Sequence, residues 1–412
     1  MSEQATSTSE MISDDERFMR LALALGRRNL GHTWPNPAVG AVIVKDGIIL
    51  ARGWTQQGGR PHAEVEALRR AKKAAEGATM YVTLEPCSHQ GKTPPCADAI
   101  VRAGITRVVS ALEDPNPEVS GQGHERLRAK GVVVDIGLGV EEARRTHAGH
   151  IMRTVHGRPH VMLKLAISAD GKAGLAGREQ ALITGEPARE RVFQMRAASD
   201  AILVGIGTVL SDDPQLTCRL PGMFERSPVR VVLDAKLRLP LATSVVATVR
   251  ETPTWVFTSH RPSAIAEEIL QQKNCKVFHV DDNDGRLDLH QVLKTLAEQG
   301  ITRLMVEGGP TVAASFVAAD LVDEAFLLRG VKSIGSDGID PLEGMPLEAL
   351  TSRLTSTGSE KLAADTLEPT GSATVPANVI ISISPPSPSG AAPVASIPPL
   401  PVRLTFPKSA SR

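Results

Sequence analysis

Apolar and polar residues alternate along the first third of the chain in short segments with strand and helix periods. Residues 14–30 place their apolar side chains on one helical face. The runs AVGAVIV and GIILARG, joined at a Lys-Asp-Gly turn, predict a β-hairpin. Further strands and helices alternate as far as residue 150. The pattern therefore predicts an α/β layered domain over residues 14–150.

A second alternating pattern begins after residue 154. Its helical stretches lie at 187–198, 262–272 and 288–299. Its strand candidates are HVMLKLAIS, DAILVGIGTVL, VRVVLD, TWVFTS, CKVFHV and RLMVEGG. Strands separated by helices predict a second α/β domain with a largely parallel sheet, over residues 155–350.

The pattern stops near residue 369. Ten of the 29 prolines lie in the last 44 residues, among Ser, Ala and Gly. Such a segment buries too little apolar surface to offset its ordering entropy. Residues 369–412 are therefore predicted to be a disordered tail.

Composition narrows the class of protein. The chain has 412 residues, 42% hydrophobic and 22% charged, and its formal net charge is zero. Zero net charge argues against a partner such as nucleic acid, whose phosphates need many cations. No apolar run is long enough to span a membrane, and the polar N-terminus lacks a signal pattern. Four cysteines do not make a disulfide framework, so a cytoplasmic location is expected.

Two of the four cysteines lie near a His-x-Glu pair. His62 follows Pro61 at a predicted helix start, and Glu64 lies two residues on. Cys87 follows the end of a strand, and Cys96 begins the next predicted helix. Two helix N-termini would thus converge on one point, where their positive ends favour thiolates.

This arrangement predicts a zinc site in which His62, Cys87 and Cys96 are the ligands. Three ligands leave a fourth position open for water, as in catalytic rather than structural sites. Glu64 would move the proton of that water. Taken singly, a His-x-Glu or a buried cysteine is usually accidental, but their conjunction matches the zinc deaminases.

The loop between the two cysteines is longer than in most deaminases. Eight residues, SHQGKTPP, intervene instead of two. His89 and Lys92 in that loop could bind a substrate phosphate. An ordinary solvated turn remains the alternative at this point.

The motifs HAEVEAL, EPCSHQGKTPPC and EDPNPEVSGQG resemble the deaminase half of the bifunctional riboflavin-biosynthesis deaminase–reductase family. The resemblance implies a cytidine-deaminase-like fold. It also implies that PNPAVGAVIV, including Asn36, forms the pyrimidine-binding turn. The substrate would be a phosphorylated pyrimidine, a small molecule.

The second pattern carries weaker chemical signals. The motif VEGGPT joins a strand to a helix, where backbone N–H groups could hold a cofactor phosphate. Thr208, Asp212 and Arg219 follow another strand, and Arg196 precedes it on a helix. Two arginines near a glycine-rich loop suit a phosphorylated ligand, although solvated arginines are commoner.

The motifs LKLAISADGK, GTVLSDDPQLTCR and VEGGPT resemble the reductase half of the same family, which has a dihydrofolate-reductase-like fold. The resemblance implies that NADPH reduces the substrate's opened ribose to ribityl. The substrate would contact Gln180, Arg196, Leu216, Arg219 and Glu307. The cofactor would contact Ala166, Leu182, Thr208, Asp212, Gly309, Pro310, Thr311, Val312, Ala313, Ala314 and Ser315.

Three features depart from the family. Gln180 replaces a usual serine, Leu182 replaces a frequent tryptophan, and the closing strand after LVDEAFLL is not recognisable. The hypothesis is a bifunctional enzyme with Zn²⁺ and NADPH as cofactors, with a homo-oligomer left open. Its rivals are a deaminase with a degenerate reductase, a polynucleotide-editing deaminase and a structural zinc module.

Overall fold

The computed structural model describes residues 13–91, 93–116, 120–175 and 182–371. The predicted tail from residue 372 onward lies outside the described residues, as do Lys92 and Gln180. Within the described part, no helix is long and apolar enough to cross a membrane.

The first domain is a five-stranded sheet with helices packed against it. The strand order is β2-β1-β3-β4-β5; β1 is antiparallel to both neighbours, and β3, β4 and β5 are parallel. The strands are β1 Gly40–Lys45, β2 Ile48–Trp54, β3 Thr79–Val82, β4 Arg107–Ser110 and β5 Val133–Ile136. The helices are α1 Asp14–Arg27, α2 Ala63–Ala71, α3 Cys96–Arg102, α4 Gln122–Arg128, α5 Val140–Thr146 and α6 Ala148–His156.

Helices α1 and α2 lie unusually close to the β1–β2 hairpin because glycines face them. A Cβ at Gly40 would lie 1.9 Å from the backbone oxygen of Ala22, and one at Gly53 would lie 2.1 Å from that of Ala63. Contacts this short tolerate no side chain. The glycine in β2 therefore lets the first turn of α2, which begins one residue after His62, pack directly on the strand.

The second domain is built on a ten-stranded sheet. The strand order β10-β9-β8-β7-β13-β6-β14 is parallel throughout, and β17 then pairs antiparallel with β14. The main strands are β6 His160–Ile167, β7 Ala201–Gly205, β8 Val229–Leu233, β9 Thr254–Thr258, β10 Lys276–His279, β13 Arg303–Val306, β14 Glu324–Arg329 and β17 Asp365–Gly371. The short strands are β11 Asp282–Asn283, β12 Arg286–Leu287, β15 Thr355–Ser356 and β16 Glu360–Leu362.

Seven helices accompany this sheet in the described residues, and the predicted largely parallel α/β domain is confirmed. They are α7 Glu186–Ala197, α8 Ile206–Asp212, α9 Ser244–Ala247, α10 Ala264–Gln272, α11 Leu289–Glu298, α12 Pro310–Ala318 and α13 Glu348–Thr351. The strand candidate DAILVGIGTVL is only half correct, because β7 ends at Gly205 and α8 follows at once.

The end of the reductase pattern differs from the sequence prediction. A closing strand does exist: β17 pairs with all six residues of β14, and β15 and β16 pair with β17. Residues 369–371, assigned above to the tail, belong to this strand, so the predicted end at 350 is too early. The predicted boundary near residue 150 falls inside α6.

Candidate active sites

Three side chains converge where α2, α3 and the end of β3 meet. His62 is the residue before α2, and Cys96 is the first residue of α3. Its Sγ lies 3.3 Å from the Nδ1 atom of His62, and the Sγ of Cys87 lies 3.8 Å from the same nitrogen. Their ligand atoms all lie within 4.8 Å of one another. The structure thus brings the predicted zinc ligands together.

The donor set fits a catalytic zinc ion. The hydrogen bond with Cys96 lowers the pKa of Cys87 to about 4, so a thiolate forms readily there. Among the described residues, the only His, Cys, Asp or Glu side chains grouped at this point are His62, Cys87 and Cys96. A zinc ion held by these three side chains would keep its fourth position for water. Exposed His89 is not among these ligands.

Glu64 lies in the first turn of α2, beside the three ligands. Its side chain is buried, with 4% of its surface exposed. Burial raises the pKa of its carboxyl group, and the charge of His62 acts against that shift. A carboxyl group with a raised pKa can both take and return a proton near neutral pH.

The loop after β3 that carries Cys87 is fixed by Glu85, two residues earlier. The carboxylate of Glu85 accepts backbone N–H bonds from Asp114 at 3.0 Å, Gly121 at 2.9 Å and Gly123 at 2.7 Å. It thereby ties the loop before α4 to the zinc site. The sequence analysis missed this role, although Glu85 stands directly before Pro86-Cys87.

Asn36 also lies at the site. Its Nδ2 atom donates to the backbone oxygen of Gly59 at 2.8 Å and lies 3.5 Å from the Nε2 atom of His62. It is the predicted pyrimidine-contacting residue, and it stands next to the metal ligand.

A second cavity, of about 370 Å³, lies at the carboxyl ends of β6, β7 and β13. It brings together ten of the residues predicted for the reductase: Ala166, Leu182, Arg196, Thr208, Asp212, Leu216, Arg219, Glu307, Gly309 and Pro310. Leu182 is 66% exposed, consistent with a rim position.

A buried charged cluster forms one wall of this cavity. Arg196 donates to Glu307 through Nε at 2.7 Å and Nη2 at 3.0 Å, and the Nζ atom of Lys164 lies 4.0 Å from Glu307. Burial lowers the pKa of Lys164. Burial also opposes ionisation of Glu307, but Arg196 and Lys164 outweigh it and hold the pKa of Glu307 below its usual value.

Lys164 was not predicted as a site residue, although it is the one charged residue inside an apolar strand.

Arg219 lies over the ring of Phe193, with its guanidinium carbon 4.9 Å from the ring centre. Among the described residues no carboxylate pairs with it as Glu307 pairs with Arg196, so it is the freer cation for a phosphate.

A larger groove, of about 1010 Å³, shares Gly207, Thr208, Gly309 and Pro310 with this cavity. The backbone N–H of Gly309 donates to Thr208 at 3.1 Å, and α12 begins at the next residue. The first-turn N–H groups of Thr311 and Val312 have no partner within the helix, which suits a diphosphate.

The groove does not receive all the predicted cofactor side chains. Thr311, Val312 and Ser315 line it, but Ala313 and Ala314 are buried in the hydrophobic core. Helical spacing turns these two side chains away from the groove. Their side chains therefore face the core, and a contact with the cofactor stays a prediction for their backbone atoms.

Comparison with known proteins agrees with this architecture. Residues 12–112 match the cytidine and deoxycytidylate deaminase zinc-binding region, and residues 159–367 match the RibD C-terminal domain. The chain is 42% identical to the riboflavin biosynthesis protein RibD of Aquifex aeolicus, over 80% of this chain and 92% of the relative. It is 41% identical to that of Escherichia coli, again over 80% and 92%.

Solved structures show the same arrangement of domains. RibD of Acinetobacter baumannii is 35% identical, with a TM-score of 0.78, and the match covers 87% of this chain and 98% of that one. The Thermotoga maritima diaminohydroxyphosphoribosylaminopyrimidine deaminase/5-amino-6-(5-phosphoribosylamino)uracil reductase is 36% identical, with a TM-score of 0.76, over 87% and 99%.

The fold and the two sites define a zinc-dependent deaminase joined to an NADPH-dependent reductase. The predicted order of two α/β domains and both predicted cofactors are thereby confirmed. The chain belongs to the RibD family of riboflavin biosynthesis proteins and is a bifunctional enzyme of that pathway. This family assignment favours the bifunctional interpretation over the polynucleotide-editing and deaminase-only alternatives.

Proposed function

We propose that the two sites act in turn on one phosphorylated pyrimidine. The first would hydrolytically deaminate 2,5-diamino-6-(ribosylamino)-4(3H)-pyrimidinone 5′-phosphate, and the second would reduce its ribose to ribityl with NADPH. The convergence of His62, Cys87 and Cys96 beside buried Glu64 carries the first half of this proposal. The Lys164–Glu307–Arg196 cluster carries the second.

In the deaminase, His62, Cys87 and Cys96 would hold zinc, whose Lewis acidity lowers the pKa of a water molecule. Glu64 takes the proton of that water on its carboxylate and passes it to the amine that leaves as ammonia. Asn36 orients the pyrimidine beside His62. His89, on the exposed loop, and Lys92 are proposed to contact the substrate phosphate.

In the reductase, NADPH supplies a hydride to the sugar carbon. The cofactor is held by Thr208, Asp212 and the start of α12. Leu182, at the rim of the cavity, covers it. Arg219 binds the sugar phosphate, with Leu216 and Gln180 as further substrate contacts. The carboxylate of Glu307 favours the charged form of Lys164. The ammonium group of Lys164 thereby acts as the proton donor when the sugar ring opens. Arg196 fixes Glu307 in place.

The proposal is tested by incubating the pure protein with the diaminopyrimidinone and identifying the products by mass. Without NADPH the expected product has lost one amino group as ammonia. With NADPH it also gains two hydrogens. Recovery of unchanged pyrimidine in both incubations would refute the proposed activity.

Cys87→Ala is expected to lower zinc affinity by at least about 100-fold, because losing a ligand costs more than losing a residue that supports one. Deamination should disappear with the metal. The matched control is Cys275→Ala, which changes a buried cysteine in the reductase domain. Zinc per chain, measured by atomic emission, should fall only in the first variant; equal zinc in both would exclude Cys87 as a ligand.

Lys164→Met should slow reduction of the deaminated product roughly 10²- to 10⁴-fold, the usual contribution of a positioned proton donor. Methionine keeps most of the side-chain length but cannot hold a proton. NADPH binding, followed by fluorescence, should persist because the phosphate-binding groups are intact. Exposed Lys273→Met is the control, and an equal rate in the two variants would show that Lys164 has no part in the reaction.

We further propose a cytoplasmic enzyme that binds no nucleic acid. All four cysteines are free in the structure, as expected in a reducing compartment, and the net charge is zero. A homo-oligomer is also proposed, and light scattering of the pure protein would test it.

A further inference from the structure

One short stretch of chain lies between the deaminase site and the reductase domain. Residues 30–36 leave the end of α1 and lead to Asn36; we call them the 30–36 segment. One side of this segment lies against the reductase domain, and the other lies against the zinc site.

On the reductase side, Arg226 holds the beginning of the segment. Its Nη1 atom donates to the backbone oxygen of Arg28 at 2.7 Å, and its Nη2 atom donates to that of Leu30 at 2.9 Å. Arg226 ends a short helical turn, Phe224–Arg226, of the reductase domain. A single side chain therefore clamps two carbonyl groups of the deaminase, those of residues 28 and 30.

The next residue, Gly31, lies directly on the end of α7. Its φ of +82° is in the region that favours glycine. A Cβ there would lie 2.7 Å from the backbone oxygen of Ala197 and 2.9 Å from the backbone of Ser199. Trp34, further along, meets Trp255 edge to face with ring centres 6.4 Å apart. The reductase domain thus contacts the segment at several points.

On the zinc side, the segment is tied to the turn before His62. The backbone N–H of Gly58 donates to the oxygen of His32 at 2.9 Å, and Asn36 donates to Gly59 at 2.8 Å. Asn36 also lies 3.5 Å from the ring nitrogen of His62 that faces away from the thiols. A displaced segment would therefore move the substrate contact that Asn36 provides.

We propose that Arg226 is a positioning residue for deamination, supplied by the reductase domain. By clamping residues 28 and 30, it fixes the 30–36 segment so that Asn36 meets the pyrimidine in register with the zinc site. The deaminase residues predicted from the sequence all lie between Asn36 and Cys96; Arg226 is a support more than a hundred residues further along. This inference rests on the proposed role of Asn36.

The test uses the full-length chain. Arg226→Ala removes the clamp and should lower kcat/KM for deamination roughly 10- to 100-fold, since misplacement of about 1 Å at a site has effects of that size. Zinc per chain should stay at the wild-type value, and reduction of separately prepared deaminated product should stay normal. Arg226→Lys, which can reach one carbonyl, should recover part of the loss. Exposed Arg250→Ala, in the same domain, is the matched control.

Gly31→Ala tests the same segment from the deaminase side. It should reproduce the deamination defect, because its Cβ would push the segment away from α7. Deamination by Arg226→Ala at the rate of Arg250→Ala would overturn the proposal. A parallel loss of zinc and of both activities would overturn it too, because Arg226 would then support the fold as a whole. If wild-type protein did not deaminate at all, the proposed function itself would fail.

Discussion

Glu64→Gln is expected to bind zinc normally and to deaminate roughly 10²- to 10⁴-fold more slowly than the wild type. Glutamine has nearly the same shape but cannot carry the proton between the water and the leaving amine. Glu64 lies beside the ligands without being one of them, so the metal site should survive. Zinc content by atomic emission and ammonia release together check both halves of this expectation.

The matched control is Glu66→Gln on the same helix. Glu66 pairs with Arg69 and Arg70, so its loss should cost stability of up to about 1 kcal/mol, the usual range for a partly exposed pair. Deamination should remain, because Glu66 does not adjoin the zinc ligands. A Glu64→Gln variant that released ammonia as fast as this control would remove Glu64 from the mechanism.

Truncation after residue 364 is expected to abolish reduction, whereas truncation after residue 371 should preserve it. The shorter chain loses β17, which pairs along all of β14. It also loses buried Leu367, worth about 1.5 to 3 kcal/mol, and Asp365, which accepts the backbone N–H of Gly185 before α7. These losses are large for a domain whose total stability is typically about 5 to 15 kcal/mol.

Circular dichroism and NADPH-dependent reduction would compare the two truncated proteins. Zinc per chain serves as the internal reference, because the zinc ligands lie in the other domain. Equal reductase activity in the two proteins would mean that β17 is dispensable. Loss of activity already at residue 371 would mean that the following segment contributes to the domain.

The zinc site could be predicted because its signals are local. Proline before a helix, and a cysteine at the end of a strand, place each ligand without knowledge of distant contacts. Lys164 could not be recognised in this way. Its partnership with Glu307 arises because β6 and β13 pair in parallel with Leu163 opposite Val306, an alignment between residues more than 140 positions apart.

β17 was missed for a different reason. Its sequence, DTLEPTG, contains one large apolar residue, Leu367, and one proline, so it lacks the alternation that predicts a strand. Its main-chain pairing runs along the whole of β14, and a sequence pattern does not display such pairing. Ala313 and Ala314 show what a family resemblance does not predict. The resemblance assigns them to the cofactor, but the helix directs their side chains into the core.

The position of β6 in the reductase sheet has a consequence for how the protein is made. Its two neighbours, β13 and β14, are synthesised about 140 to 160 residues after it. At roughly 5 to 20 residues per second, its apolar edges wait on the order of 10 s or more for their partners. The deaminase sheet, by contrast, has all its strands by residue 136. The reductase half is therefore the part of the nascent chain most exposed to aggregation and most dependent on chaperones.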